Sequence, residues 1–240
     1  MQYDYEKKSS IEEIRERFDK DVERFSNVET GQQSTMDAEI SMELITEAAK
    51  WVNPTAKRLL DIGCGAGNYS LKMLSKVPNL DCTLVDLSAP MLDRANERVA
   101  KATTGKIARI QVDLKEIDLP NNHYDIMLAG AVMHHLRAED EWLAVFQKLY
   151  NSLKEGGSLW ISDLITQESE PINQMIKEKY GQYLEKLGGQ AYKEHVFQYV
   201  EKEDTPRSIN FQLDLMKKVG FRHIEILHKN ACFAAFGGIK

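Results

Sequence analysis

The sequence predicts an α/β protein built on a mostly parallel sheet with helices on both faces. Three observations carry this. From Arg58 onward, short apolar runs alternate with amphipathic helical segments, the texture of repeated β-α units. A glycine-rich turn, Gly63-Cys64-Gly65-Ala66-Gly67, joins the first run to the first of those helices. Near the C-terminus two strand-like runs are separated only by Lys229-Asn230, a link that permits only an antiparallel pair.

The elements follow in order. Ile11, Ile14, Phe18, Val22 and Phe25 recur at helical spacing in a highly charged segment, so an amphipathic helix should lie over the body of the protein. A polar stretch, SNVETGQQST, comes next. A second helix is expected over Asp37 to Val52, opened by Asp37 and closed before Asn53-Pro54. RLLDI, DCTLVDL, KIARIQV, YDIMLAG and SLWISDLI read as five strands. Helices are expected over Asn68 to Lys76, Pro90 to Lys101 with Ser88 as N-cap, and Glu139 to Leu153. The last has acids in its first turn and Gly156-Gly157 just after it. Pro171 to Tyr199 reads as two helices broken near Gly188-Gly189, and Ser208 to Lys218 as another, ended by Gly220. FRHIEILH and ACFAAFGGI are the terminal strands.

At 240 residues with 42% apolar content, the chain suits one domain with a full core. It divides into an N-terminal helical extension (1–57), a core (58–165), a helical insert or cap (166–206), and the last helix with its hairpin (207–240). A net charge of −6 argues against a broad grip on nucleic acid or anionic membrane. No run of 18 apolar residues exists, so no membrane partner is expected. The first 20 residues are charged throughout and lack the apolar centre of a signal peptide. Cys64, Cys82 and Cys232 are odd in number and scattered. They fit neither a zinc site nor a disulfide framework, so no metal is expected and a reducing cytoplasm is the simplest setting.

In such a sheet, ligands sit beyond the carboxyl ends of the strands. The glycine turn occupies that place, although a tight turn with no ligand is the alternative. Its spacing is G-x-G-x-G, not the G-x-G-x-x-G of dinucleotide folds. Asp61, two residues before the first glycine, would serve a pyrophosphate badly and a cation well. Asp86 ends the second strand, where a carboxylate can accept two ribose hydroxyls. Asp113 follows the third, where it can meet an adenine amino group. An amine, a ribose and an adenine without phosphate describe S-adenosylmethionine (SAM).

LLDIGCGAG, LVDLS, QVDL, YDIMLAGAVMHHL and LKEGGSLWISDL resemble, in order and spacing, the successive motifs of class I SAM-dependent methyltransferases. The resemblance covers Arg58 to Leu164. It implies a Rossmann-like, seven-stranded sheet, mostly parallel with an antiparallel C-terminal hairpin. It also implies that Gly63, Cys64 and Gly65 hold the methionine moiety, with Asp61 positioning its amino group. Asp86 would hold the ribose, Leu87 and Met91 would flank the adenine, and Asp113 and Leu114 would contact it. Ala129 and Gly130 would line the sulfonium side with backbone atoms. Read structurally instead, Asp86 is a helix-capping acid, Asp113 a solvated loop acid and Met91 a core residue.

The C-terminal layout is similar to a narrower group, the carboxy-SAM synthases of tRNA wobble-uridine modification. That group holds the added carboxylate with an arginine on the last helix. The matching position here is Leu215, which cannot pair with a carboxylate, and Arg207 lies two turns away. Ordinary methyl transfer is therefore the expected activity, tRNA modification is one alternative, and a non-catalytic SAM-binding protein is another.

Methyl transfer needs a nucleophile aligned with the S–CH3 bond, and needs a base only if the acceptor must lose a proton. His134 follows the fourth strand and Asp163 ends the fifth; either can serve as that base, while packing is the competing role for the His134-His135 pair. His195, His223 and His228 show no metal spacing. Gln32 or Gln33 can hydrogen-bond a substrate. Tyr180, Tyr183, Tyr192, Phe197 and Tyr199 can line an acceptor pocket, make a homodimer contact, or pack the insert onto the sheet. Lysines on that insert are diluted by glutamates, so a small-molecule acceptor is favoured over RNA.

Overall fold

The computed structural model describes residues 3–240, apart from the side chains at positions 28 and 29. Helices α1 (Ile11–Lys20), α2 (Val22–Ser26), α3 (Val28–Gly31) and α4 (Ala38–Val52) precede the sheet. Then come β1 (Arg58–Ile62), α5 (Asn68–Lys76), β2 (Asp81–Asp86), α6 (Ala89–Ala100), β3 (Ile107–Gln111) and β4 (Tyr124–Gly130). They are followed by α7 (Glu139–Ser152), β5 (Leu153–Leu164), α8 (Glu170–Glu203), α9 (Ile209–Val219), β6 (Arg222–Asn230) and β7 (Phe233–Ile239).

The seven strands form one sheet in the order β3-β2-β1-β4-β5-β7-β6. Strands β1 to β5 pair in parallel, and β7 pairs antiparallel with both β5 and β6. Six strands therefore share one direction. The terminal hairpin is inserted with its second strand inward, so β7 alone is reversed.

Both faces of the sheet are buried, and β1 shows why its sequence is almost wholly apolar. Leu59 packs with Met42, Ile45, Met73 and Leu84 on the α4-α5-α6 face. Leu60 and Ile62 pack with Trp142, Phe146 and Met216 on the α7-α9 face. A third cluster, Leu164, Tyr180, Leu184, Val196 and Phe233, anchors α8 to the end of the sheet.

Four expectations are corrected in detail. The N-terminal helix breaks at Asp21, a poor helix former whose carboxylate pairs with Arg24 instead of capping either piece. The break lets each piece grip α6: Ser88 Oγ donates to Asp19 at 2.6 Å, and Arg94 donates to Glu23 at 2.6 Å and to Ser26 Oγ at 3.0 Å. Asp37 precedes α4 but caps nothing with its side chain, which instead takes hydrogen bonds from His228 and Asn230 of β6, both at 2.8 Å. Strand β5 starts directly after α7, so Gly156 (φ 73°) lies within the strand and is not a helix terminator. Strand β6 runs through Lys229-Asn230, and the chain turns at Ala231-Cys232. The insert is one long helical span kinked at Gly189, as the Gly188-Gly189 pair implied.

Candidate active site

The crossovers diverge to opposite sides at β1 and β4, which makes the carboxyl ends of these strands the topological switch point. A cavity of about 210 Å3 opens there, roomy enough for a ligand and not merely one water. Its floor is the glycine turn, and its roof is α1 to α3 together with α8.

Gly63 and Gly65 of the turn both adopt left-handed backbone. Gly63 takes φ 62°, and a Cβ there would come within 2.6 Å of Val132. Gly65 takes φ 50°, and nothing lies within 4 Å of where its Cβ would be. Its bare backbone thus faces free space at the cavity wall, a cradle that a side chain would fill. Cys64 N–H donates to Val85 O at 2.9 Å and Gly65 N–H to Asp86 Oδ2 at 2.8 Å, tying the turn to β2. Asp86 Oδ1 accepts from Ser88 N–H at 2.9 Å, so the residue is both a loop anchor and a cavity-wall acid. Burial pushes its carboxyl up to about 6, against the backbone donors that favour the anion.

Asp61 does not reach the cavity wall. It is buried, and its Oδ2 accepts from Ser70 N–H at 3.0 Å and Ser70 Oγ at 2.5 Å. It thereby caps α5, whose N-cap residue Gly67 has no side chain to do so. Its Oδ1 has no partner, and burial raises the carboxyl to about 7. Ala129 is fully buried in the α7-side core and is not a cavity-wall residue, whereas Gly130 is one. Leu87, Met91, Asp113 and Leu114 are all on the wall. Asp113 accepts from Lys115 N–H at 3.2 Å, and its buried Oδ2 has no hydrogen-bond partner. The geometry fits SAM: a bare cradle, an acid at the end of β2, and beyond it Asp113, whose Oδ2 makes no hydrogen bond and meets only Lys115 Nζ at 3.6 Å, with apolar walls around it.

The other half of the cavity is aromatic and acidic. Phe18, Phe25, Tyr180, Tyr199 and Phe233 line it, while Tyr183, Tyr192 and Phe197 pack against the third cluster. Tyr180 OH donates to Ser34 O at 2.8 Å and Tyr183 OH to Gln33 O at 3.0 Å, joining the segment after α3 to α8. Gln32 lines the cavity, donates to Tyr69 OH at 3.4 Å, and leaves its buried Oε1 without a partner. His134 and Asp163 meet through Nδ1, and the Asp163 carboxylate also accepts the His134 N–H at 3.1 Å. Asp204, which sequence reasoning missed, lies 3.6 Å from His134 Nε2. The only sequence signal was an acid leaving a long helix before Thr205-Pro206. Thr205 places it, donating through its N–H to His134 O at 2.7 Å and through Oγ1 to Leu136 O at 2.6 Å. Arg17, on α1, lies over the same corner and pairs with the buried Glu203. His195 and His223 are exposed, and His228 holds Asp37.

Comparison with known proteins agrees with this geometry. Residues 59–157 match the model of a methyltransferase domain. A carboxy-S-adenosyl-L-methionine synthase of Nautilia profundicola is 25% identical over 76% of this chain and 77% of its own length. A demethylmenaquinone methyltransferase of Listeria monocytogenes is 25% identical over 85% of this chain and 89% of its own. Human N-acetylserotonin methyltransferase, solved with SAM, superposes with a TM-score of 0.61 at 16% identity. It covers 94% of this chain, which spans just over half (56%) of the human one.

Proposed function

We propose that the class I SAM-dependent methyltransferase domain of this chain methylates a small, mainly apolar acceptor enclosed beside the cofactor in a cytoplasmic setting. One observation carries the acceptor reading: a single cavity runs from the glycine turn to the aromatic wall of α8, roofed by the N-terminal helices. A roofed cavity admits a small molecule more readily than a structured RNA. The demethylmenaquinone enzyme among the relatives is in keeping with an apolar acceptor.

SAM supplies a methyl group already activated by its sulfonium. The chain's own residues bind and orient. In this reading Gly63 to Gly65 cradle the methionine moiety, Asp86 takes the ribose hydroxyls, and Asp113, Leu114 and Met91 surround the adenine. Gln32 Oε1 is free to accept a hydrogen bond from the acceptor. Asp163 fixes the His134 ring beside the acceptor, and the pair holds a proton there. The roof excludes water.

The test is incubation of the purified protein with methyl-labelled SAM and a metabolite extract. A labelled low-molecular-weight product is expected. Label appearing in added tRNA would overturn the small-molecule reading, and SAM binding without any labelled product would favour a non-catalytic role.

A second reading rests on the carboxy-SAM synthase relative. Against it, Leu215 is buried in the core and Arg207 pairs with Glu139 at 3.4 Å and lies over Phe211. The arginines at the cavity, Arg17 and Arg24, are each paired with an acid. Mass spectrometry of the nucleoside that co-purifies separates the two, since SAM and carboxy-SAM differ in mass.

A further inference from the structure

The inner corner of the cavity brings together two imidazole nitrogens and a carboxylate oxygen, none of them in a good hydrogen bond with another. Asp163 accepts at His134 Nδ1, which leaves Nε2 as the free ring position. That atom faces Asp204 Oδ1 at 3.6 Å. His135 Nδ1 lies 3.4 Å from the same oxygen and has no hydrogen-bond partner, although it is buried. The three atoms all fall within 4.8 Å of one another.

These separations are too long for good N–H···O hydrogen bonds, which run at about 2.7–3.2 Å. The two distances to Asp204 Oδ1 match the edge of a tetrahedron of ligands about 2.0–2.2 Å from a central ion, which is roughly 3.3–3.6 Å, and the two ring nitrogens lie within 4.8 Å of each other. Asp163 stands where a metal-binding histidine normally has its outer carboxylate, fixing the ring and its tautomer. Thr205 fixes Asp204 independently, through the backbone of the segment that carries both histidines.

We infer that His134 Nε2, His135 Nδ1 and Asp204 Oδ1 form a binding site for one divalent transition-metal ion of the zinc class. Two imidazoles and one carboxylate select such an ion over magnesium or calcium, which prefer all-oxygen shells. All three residues line the cavity, so the fourth coordination position opens into it. Three protein ligands and one open position are the pattern of catalytic, not structural, zinc. An acceptor hydroxyl in that position would give up its proton more readily.

The experiment uses untagged, chelator-treated protein titrated with Co2+, followed by its displacement with Zn2+. Visible absorption and calorimetry are the readouts, and SAM binding is measured on the same samples. One equivalent of Co2+ with the intense bands of a four-coordinate site is expected, released by Zn2+. His135→Ala and Asp204→Asn should weaken binding at least tenfold, and Asp163→Asn by about 10–100-fold. Wild-type protein that binds SAM but neither ion stoichiometrically overturns the inference while leaving the methyltransferase reading standing. So does undiminished affinity in a His135→Ala variant with a native circular dichroism spectrum. Should a variant fail to fold, the wild-type titration decides alone.

Discussion

Asp86 Oδ2 accepts the Gly65 N–H at 2.8 Å, so the acid that ends β2 holds the glycine turn that ends β1. One carboxylate thus shapes the cradle and faces the cavity. Asp86→Ala removes both roles. Two charge-assisted hydrogen bonds are worth about 1.5–3 kcal/mol each, and part of that is recovered by water, so SAM affinity should fall by roughly 10–100-fold. S-adenosylhomocysteine should weaken in parallel, because the acid lies away from the methyl group. Burial raises Asp86 to about 6, so wild-type affinity should also decline as the pH falls below 6. Isothermal calorimetry across pH checks both; equal affinity in Asp86→Ala and wild type would remove Asp86 from the binding site.

Gly65 and Gly130 make opposite predictions for the same substitution. At Gly65 an added Cβ points into free space, and the left-handed backbone costs only about 1–2 kcal/mol. Gly65→Ala should therefore remain folded yet bind SAM poorly. At Gly130 the Cβ would lie 2.3 Å from the Tyr69 ring, a clash inside a close-packed region. Gly130→Ala should lower the melting temperature more than Gly65→Ala does. Thermal melts with and without SAM test the contrast, and it fails if Gly65→Ala retains the full SAM-induced shift.

The difference between these glycines marks the limit of what the sequence could say. The β-α alternation, the helix starts at Ser88 and Ser208, and the antiparallel terminal pair were legible because each rests on local period, capping or a short link. Asp61 was not. Its spacing before the glycines suggested a ligand, but its partner is Ser70, nine residues later, across a turn whose N-cap lacks a side chain. Asp204 was less legible still, since only the long-range bonds of Thr205 bring it to His134. The split of the aromatic insert into cavity rings and packing rings likewise depends on how α8 lies, which no spacing reveals.

Asp61 also makes a stability prediction. Desolvation raises its carboxyl from 3.8 to about 7, with the Ser70 bonds opposing. A group whose folded pKa lies above its unfolded value supports the fold fully below the unfolded pKa, and the support is lost as pH rises through the folded one. Asp61 should therefore cost stability progressively between about pH 4 and 7. Asn at this position keeps an oxygen for Ser70 and carries no charge. Asp61→Asn should be more stable than wild type at pH 8, by roughly 2–4 kcal/mol at most, and flatter in its pH profile. Denaturant melts at pH 5 and 8 measure this; a variant weaker than wild type at both would show that the carboxylate is needed ionised.

His134 gives the second pH signature, and its direction depends on what occupies Nε2. Burial disfavours the imidazolium, but Asp163 on β5 and Asp204 after α8 outweigh it, against Arg17 on α1, and the ring rises to about 9. Neighbouring His135 is driven well below its ordinary value by burial, then by His134 and Arg17, and stays neutral. For metal-free protein the His134 contribution is complete below the unfolded value of 6.5 and vanishes as the pH climbs through about 9. It amounts to roughly 3 kcal/mol, so the melting temperature should fall by roughly 5–10 °C between pH 6.5 and 9. Asp204→Asn removes one of the two carboxylates that hold the proton, and the window should narrow. Zn2+ competes with that proton for the neutral ring, so its stabilising effect should grow over the same interval. Scanning calorimetry of chelated and zinc-loaded protein at several pH values reads both slopes. A flat chelated profile would mean that His134 is neutral in the folded protein and that neither carboxylate controls it.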